Sequence, residues 1–427
     1  MKALFSRCSR LFLFLLKRGI GLLNVKYIVH IRGGDGMTAR LDQAFYHLER
    51  PFAWLDLDAV DKNIQTVHNA CGEKQIRIAT KSIRSVEVLR YIQKNLANVV
   101  GLMTFTAAET IYLLEQHFDD VLLGYPVMEE SAIQRLLHFV ENGKTVTFMV
   151  DRPEHIHLLA KLGEEMGVRV EVCIDMNVST DFKLLYFGTK RSSLHSLELL
   201  TSFLQVIQQH PIIEVVGAMG YEAQIAGVGN RPANALKGRL IETMQKQAKK
   251  QVTQFRRFAI AHIKAYFPNL RFVNGGGSGS MSYTAQQKEV TEITVGSAFY
   301  APALFDQFTH LQLAKAAGFA LRVTRKPDKD IVVCHGGGYT ASGAIGIDRL
   351  PVFYEPAIFA YLSLEGAGEV QTPVKVKGRQ LQIGDTIYFR HAKAGELCER
   401  FQVLHSIRGD KYMGPYTTYR GDGQCFL

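Results

Sequence analysis

Lys81, at the end of a short apolar run over residues 76–79, and a distant glycine-rich stretch are the features of this chain whose types and spacing carry chemistry. The stretch comprises Gly275, Gly276, Gly277, Ser278, Gly279 and Ser280. A lysine amine at a strand end can hold a cofactor aldehyde as an imine. Most lysines so placed are solvated surface charges, so Lys81 alone decides little. The glycines change the balance, because backbone N–H groups without neighbouring Cβ atoms can approach and cradle a phosphate. An amine for an aldehyde and a cradle for a phosphate together point to pyridoxal phosphate.

The elements that must position these groups follow from hydrophobic periodicity. Short apolar or β-branched runs at 76–79, 99–103, 121–124, 146–150, 168–174, 215–219, 271–273 and 292–295 predict strands. Stretches with helical spacing at 85–95, 107–117, 129–141, 153–166, 194–209 and 238–266 have the length of crossovers. Eight such units predict an α/β fold, a (β/α)8 TIM-like barrel. In such barrels chemistry gathers at the C-terminal ends of strands, with phosphate in the loops after strands seven and eight. The glycine loop follows strand seven and Lys81 follows strand one.

Past about residue 315 the texture changes to short strands at 319–324, 331–334, 369–376, 386–389 and 401–404 between glycine and proline turns, which predicts a C-terminal β domain. The early run 52–57 would be a ninth barrel strand, so it is expected to join the β domain instead. The predicted division is an extension over 1–36, an N-terminal segment over 37–75 partly packed on the β domain, a cofactor-binding barrel over 76–312 and the β domain over 313–427.

At 427 residues and 47% hydrophobic, the chain is long enough for a large core and a second domain. Its net charge of +10 is concentrated at one end, since residues 1–36 hold seven basic residues against Asp35. What remains is too weakly basic to predict a nucleic-acid partner. Six scattered cysteines without a paired spacing predict a reducing, cytoplasmic setting. The apolar run 11–16 is too short for a bilayer, which takes about 20 apolar residues. No membrane association is expected of the mature form, and residues 1–36 are read as an extension ahead of a true start at Met37.

Phe52, Trp54, Asp56 and Asp58, then Lys81, Gly124 and Pro126, Asp151 and Glu154, Asp175, the glycine loop, and Thr291 to Gly296 occur in a recognisable order. In this the chain resembles fold-type III pyridoxal phosphate enzymes, above all the D-threonine aldolase and D-serine dehydratase branch beyond the alanine racemases. The resemblance implies that Lys81 is the cofactor lysine, that Gly275 to Ser280 hold the phosphate and that Tyr300 stands near the cofactor, although at wider spacing from Gly296. It implies substrate-facing roles for Tyr221 and Gln224 after strand six. It also implies a homodimer in which His335 or Tyr339 reaches the neighbouring active site; an ordinary glycine turn with an exposed histidine is the bland alternative. Members of this branch carry a histidine and, two residues on, a cysteine or aspartate that bind a divalent ion. Here His391 falls in place, but Cys398 comes seven residues later, with Glu396 and Glu399 as further candidates. Imidazole and thiolate suit zinc, with manganese the other candidate.

The implied activity is that of a lyase on a D-β-hydroxy amino acid, its β-hydroxyl held by the metal, cleaving Cα–Cβ or expelling hydroxide. A racemase is the rival; it needs acid/base groups on both faces of the α-carbon, commonly the lysine and a tyrosine from the partner subunit, an option that Tyr339, Tyr354 and Tyr388 keep open. A non-catalytic pyridoxal phosphate carrier shares the barrel but lacks the β domain.

Overall fold

A computed structural model of the chain describes residues 36–182, 185–231, 235–344, 346–355 and 357–427. The extension expected over 1–36 thus lies, save its last residue, outside the described residues. Residues 36–43 are a unit of their own within the helix Gly36–Ala44; the fold that follows is that of residues 44–427.

Eight parallel strands close into a barrel: Gln75–Ala79, Val99–Thr104, Val121–Leu123, Val146–Val150, Val170–Asp175, Ile213–Gly220, Phe272–Gly275 and Glu292–Val295, the last pairing with the first. They are numbered one to eight in that order. The period-two alternation of a strand explains why these runs serve. Leu122, Met149, Cys173, Met219 and Phe272 form one cluster, while Val121, Leu123, Val146, Phe148 and Val150 join another with the helical residues Leu136, Leu159 and Phe203. Gly217 on strand six makes room for the Phe272 ring, which a Cβ would meet at 2.3 Å. Below the mouth, Arg77 on strand one is fully buried and bonded at 2.8 Å to Glu292 on strand eight, so the pair ties the closing seam.

The crossover helices start where capping residues allow. Ser85 accepts from the Val88 amide, Thr106 from Glu109 and Ser196 from Leu199, and Pro153 opens another helix in its first turn. Each cap satisfies amides that the helix leaves unpaired and fixes where the chain turns at the barrel rim.

Among the described residues the β domain is a nine-stranded sheet. As the sequence predicts, the early strand Phe52–Asp56 belongs to it and not to the barrel. It runs antiparallel to Ala317–Asp328 and parallel to Val403–Arg408, with Trp54 opposite Gly318 on one side and His405 on the other. The helix Leu57–Cys71, absent from the sequence reading, follows at once because Asp56 caps it by accepting from the Asp58 and Ala59 amides. Its buried Asn63 donates to the carbonyls of Phe299 and Ala314 and accepts from the Ala314 amide, which fixes the passage from barrel to sheet. The strand Lys411–Thr417 was also unforeseen. No helix of the described residues is long and apolar enough to cross a membrane.

Gly318 is the tightest point of the sheet, where a Cβ would stand 2.0 Å from the Phe389 carbonyl and 2.7 Å from the Trp54 ring. Overpacking against backbone has no rotamer to relieve it, so Gly318→Val should cost roughly 3 kcal/mol or more. A chemical denaturation midpoint equal to that of the parent would contradict this.

Candidate active site

Closure of the barrel makes strands seven, eight and one neighbours, and so brings Lys81 beside the glycine loop. Lys81 lies exposed in the turn Thr80–Ser82. The adjacent Ser82 hydroxyl is 2.9 Å from that of Ser297 after strand eight, and the Ala298 amide in turn donates to Ser278 of the loop at 2.9 Å. Two short bonds therefore chain the lysine turn to the loop.

The loop itself is held from beneath. Glu222, which follows strand six, is wholly buried with Arg256, at 2.6 Å. Its carboxylate also accepts from the Gly276 amide at 3.3 Å, from the Ser280 hydroxyl at 3.0 Å and from the Thr284 hydroxyl. A buried charge is tolerable only when paired and hydrogen-bonded, and Glu222 meets both conditions. Gly276 has φ +84, and a Cβ on Gly279 would stand 2.2 Å from the Ala226 carbonyl. Glycine is thus required here by the loop's own seating. The amides of Ser278 and Gly279 find no acceptor among the described residues and are buried with the loop. Such a cradle fits a phosphate.

Across the mouth stands Tyr125, after strand three. Its hydroxyl is 3.5 Å from Lys81 Nζ, and the Arg191 guanidinium lies 4.8 Å from its ring centre. Arg191 is oriented by Asp175 at the end of strand five, at 2.6 Å, and by the Gly124 carbonyl, also at 2.6 Å. Burial pushes the Tyr125 phenol up, but the Lys81 ammonium and then Arg191 outweigh it and hold it below its ordinary value. Asp175, despite Arg191, is pushed up to about 6 by burial. Strands one, three and five thereby deliver an amine, a phenol held below its ordinary value and a cation that helps to hold it there.

Other residues singled out in the sequence are placed elsewhere. Tyr221 lies against the loop, 3.1 Å from where a Gly277 Cβ would be, with its phenol pushed up to about 12 by burial and Glu222. Gln224 is buried; it donates to the Val178 carbonyl and its own carbonyl receives Gln245, so it ties loops together behind the site. The Tyr300 ring is wholly buried and its hydroxyl donates to the Ile83 carbonyl at 3.1 Å. His335 is exposed at the end of the strand Ile331–His335, and Tyr339 packs edge-on to Phe319 and Phe401. Tyr125, Glu222, Arg191, Arg256 and Lys393 are functional candidates that sequence reading missed; none stands out from ordinary polar residues until the barrel closes.

The metal expectation fails its test of fit. His391 is 2% exposed and neither ring nitrogen has a hydrogen-bond partner, which alone would suit an ion. Burial and then the Arg390 charge lower it to about 3, so it is a neutral donor in cationic surroundings. Cys398 is buried in the short helix Glu396–Arg400, seven residues past His391, its thiol pushed up to about 12 by burial. Both extra candidates are engaged, Glu396 by Arg400 and Glu399 by Arg84 and Arg420. Among the described residues no group of three histidine, cysteine or acidic side chains comes together. Two residues after His391 stands Lys393, half-buried, lowered by burial and then by the charges of Lys81 and Arg349.

Residues 55–303 match a family model described as alanine racemase, N-terminal domain. No curated protein matches the chain. Among solved structures, D-threonine aldolase from Filomicrobium marinum is 16% identical with a TM-score of 0.74, over 87% of this chain and 95% of that one. D-threo-3-hydroxyaspartate dehydratase from Delftia sp. HT23 is also 16% identical, with a TM-score of 0.70 over 88% and 98%. An alanine racemase of Clostridium difficile 630, in complex with cycloserine, is 14% identical with a TM-score of 0.63 over 86% and 98%. At these identities the likeness is one of fold.

Removing the cation under the loop isolates its role. Arg256→Met leaves Glu222 buried without its partner and should cost about 3–5 kcal/mol of stability. Calorimetry showing an unshifted melting transition would refute the assignment.

Proposed function

The chain belongs to the alanine racemase N-terminal domain family, and from that premise we propose that it is a pyridoxal-phosphate-dependent lyase acting on a D-β-hydroxy amino acid. When bound, the cofactor supplies an electron sink for the pair left at the α-carbon. Lys81 holds its aldehyde carbon; the cradle over Ser278 and Gly279 takes its phosphate; Glu222 and Arg256 keep that cradle in shape. In dehydration Lys81, freed by the substrate amine, would take the α-proton; in Cα–Cβ cleavage it would return a proton to the α-carbon. Tyr125, with its phenol eased toward ionisation, exchanges a proton with the β-hydroxyl, either removing it for Cα–Cβ cleavage or protonating it as it leaves. No step is drawn through a metal ion.

The observation that carries lyase over racemase is the 3.5 Å between Lys81 Nζ and the Tyr125 hydroxyl. Groups on opposite faces of one carbon need a separation of about twice the ~3–3.5 Å approach of each. Neighbours this close serve two adjacent atoms, the α-carbon and the β-oxygen. The tyrosines open to a racemase are occupied in the sheet: Tyr339 between Phe319 and Phe401, Tyr354 against Trp54, and Tyr388 buried. A homodimer is part of the same reading, with the exposed His335 end directed at the neighbouring copy.

Lys81→Ala should lose both turnover and cofactor that borohydride can fix to the protein; cofactor still fixed in this variant would remove the assignment. For Tyr125→Phe the expectation is a kcat loss of about a hundredfold or more with cofactor binding retained. Incubation with D-serine, D-threonine and alanine, read for keto acid, aldehyde and racemised product, decides the reaction. Racemised alanine as the main product would replace the lyase with the racemase.

A further inference from the structure

The residue standing where the resembled branch has its second metal ligand is a cation, and its surroundings are built to use it as one. Lys393 rides on a turn pressed onto the lysine at the heart of the site. Gly395, at φ +95, is so close that a Cβ would lie 2.6 Å from the Lys81 carbonyl and 3.3 Å from Arg84 Nε. Arg84 Nε donates to that same carbonyl at 2.9 Å, so the turn and Lys81 share one anchored peptide. Lys393 Nζ reaches only the Ser342 carbonyl, at 3.5 Å, and among the described residues it has no carboxylate partner. The charges near enough to act on it are the cations Lys81 and Arg349 and the phenol of Tyr125.

A half-buried ammonium beside other cations is favoured by an anion brought next to it. The cofactor phosphate is not that anion. It has its own cradle, the amides of the glycine loop after strand seven. Every amino-acid substrate does bring a carboxylate to the mouth.

We propose that Lys393, standing where the resembled branch has its second metal ligand, binds the substrate carboxylate, with Arg349 as its neighbour, and that this enzyme needs no such ion. The substitution inverts the logic of the site at one residue. An acidic or thiolate side chain recruits a cation, which then holds the substrate; a lysine is that cation. It also accounts for the absence of a ligand shell around His391.

This inference rests on the cofactor reading, so borohydride fixation of pyridoxal phosphate at Lys81 is checked first in every sample; no fixation would count against that reading and this one together. Full-length holoenzyme is then treated with a chelator, its metal content measured, and D-serine turnover followed before and after adding zinc or manganese. Turnover at substoichiometric metal, unchanged by either ion, is expected; loss on chelation with recovery on adding an ion overturns the proposal. In the second arm, D-serine and D-serine methyl ester are titrated against holoenzyme and binding is read from the cofactor's visible band. Lys393→Met should weaken D-serine by about ten- to a hundredfold and leave the ester, which has no charge to lose, nearly unchanged. Lys393→Arg should restore much of the difference. Equal weakening of acid and ester, or no weakening of either, means that Lys393 does not hold the carboxylate.

Discussion

Glu222 is the constraint on which the site depends. A carboxylate sealed from water must be answered on several sides at once, and the answers come from four separated places: Arg256 on the long helix Ala235–Tyr266, the Gly276 amide, and the hydroxyls of Ser280 and Thr284. Any shift of one partner exposes the others to an unpaid desolvation cost, so the loop has one low-energy shape whether or not a ligand is bound. Preorganisation of this kind lowers the ordering cost of binding an anion. Arg256 also donates to the Gly220 carbonyl at 2.7 Å, so the same pair fixes the end of strand six.

A second set of contacts joins the sheet to the barrel mouth. Tyr300, beyond strand eight, bonds the Ile83 carbonyl and presents its ring edge to His391, and Arg84 bridges the Lys81 carbonyl to Glu399. Arg390 forms a two-pronged pair with Asp306 and bonds the Ala301 carbonyl. The turn carrying Lys393 is therefore positioned by the same links that steady Lys81.

What could be read from the sequence was whatever repeats locally. Alternation along runs such as Val146–Val150 and caps such as Ser85 and Ser196 are written within a few residues, and they gave the strand count and the order of Lys81 and the glycine loop. The exclusion of Phe52–Asp56 from the barrel followed from counting alone. The helix Leu57–Cys71 escaped because its start signal, Asp56, also ends a strand. Glu222 and Arg256 lie 34 residues apart and Arg77 and Glu292 lie 215 apart, so nothing local marks them as pairs. Tyr300 and Cys398 lie in suggestive neighbourhoods of the sequence, but nothing local shows that both side chains are sealed in the core.

The place of the strand Phe52–Asp56 has a consequence for the order of events at synthesis. Its partners on either side, at Gly318 and His405, are translated only after the whole barrel. A strand with two open edges must therefore wait for partners that the chain has not yet supplied. Open edges of apolar strands invite pairing with other chains. For Phe52–Asp56, all five of whose residues end up buried, the nascent chain is at greatest hazard between completion of strand eight and emergence of the last residues of the sheet.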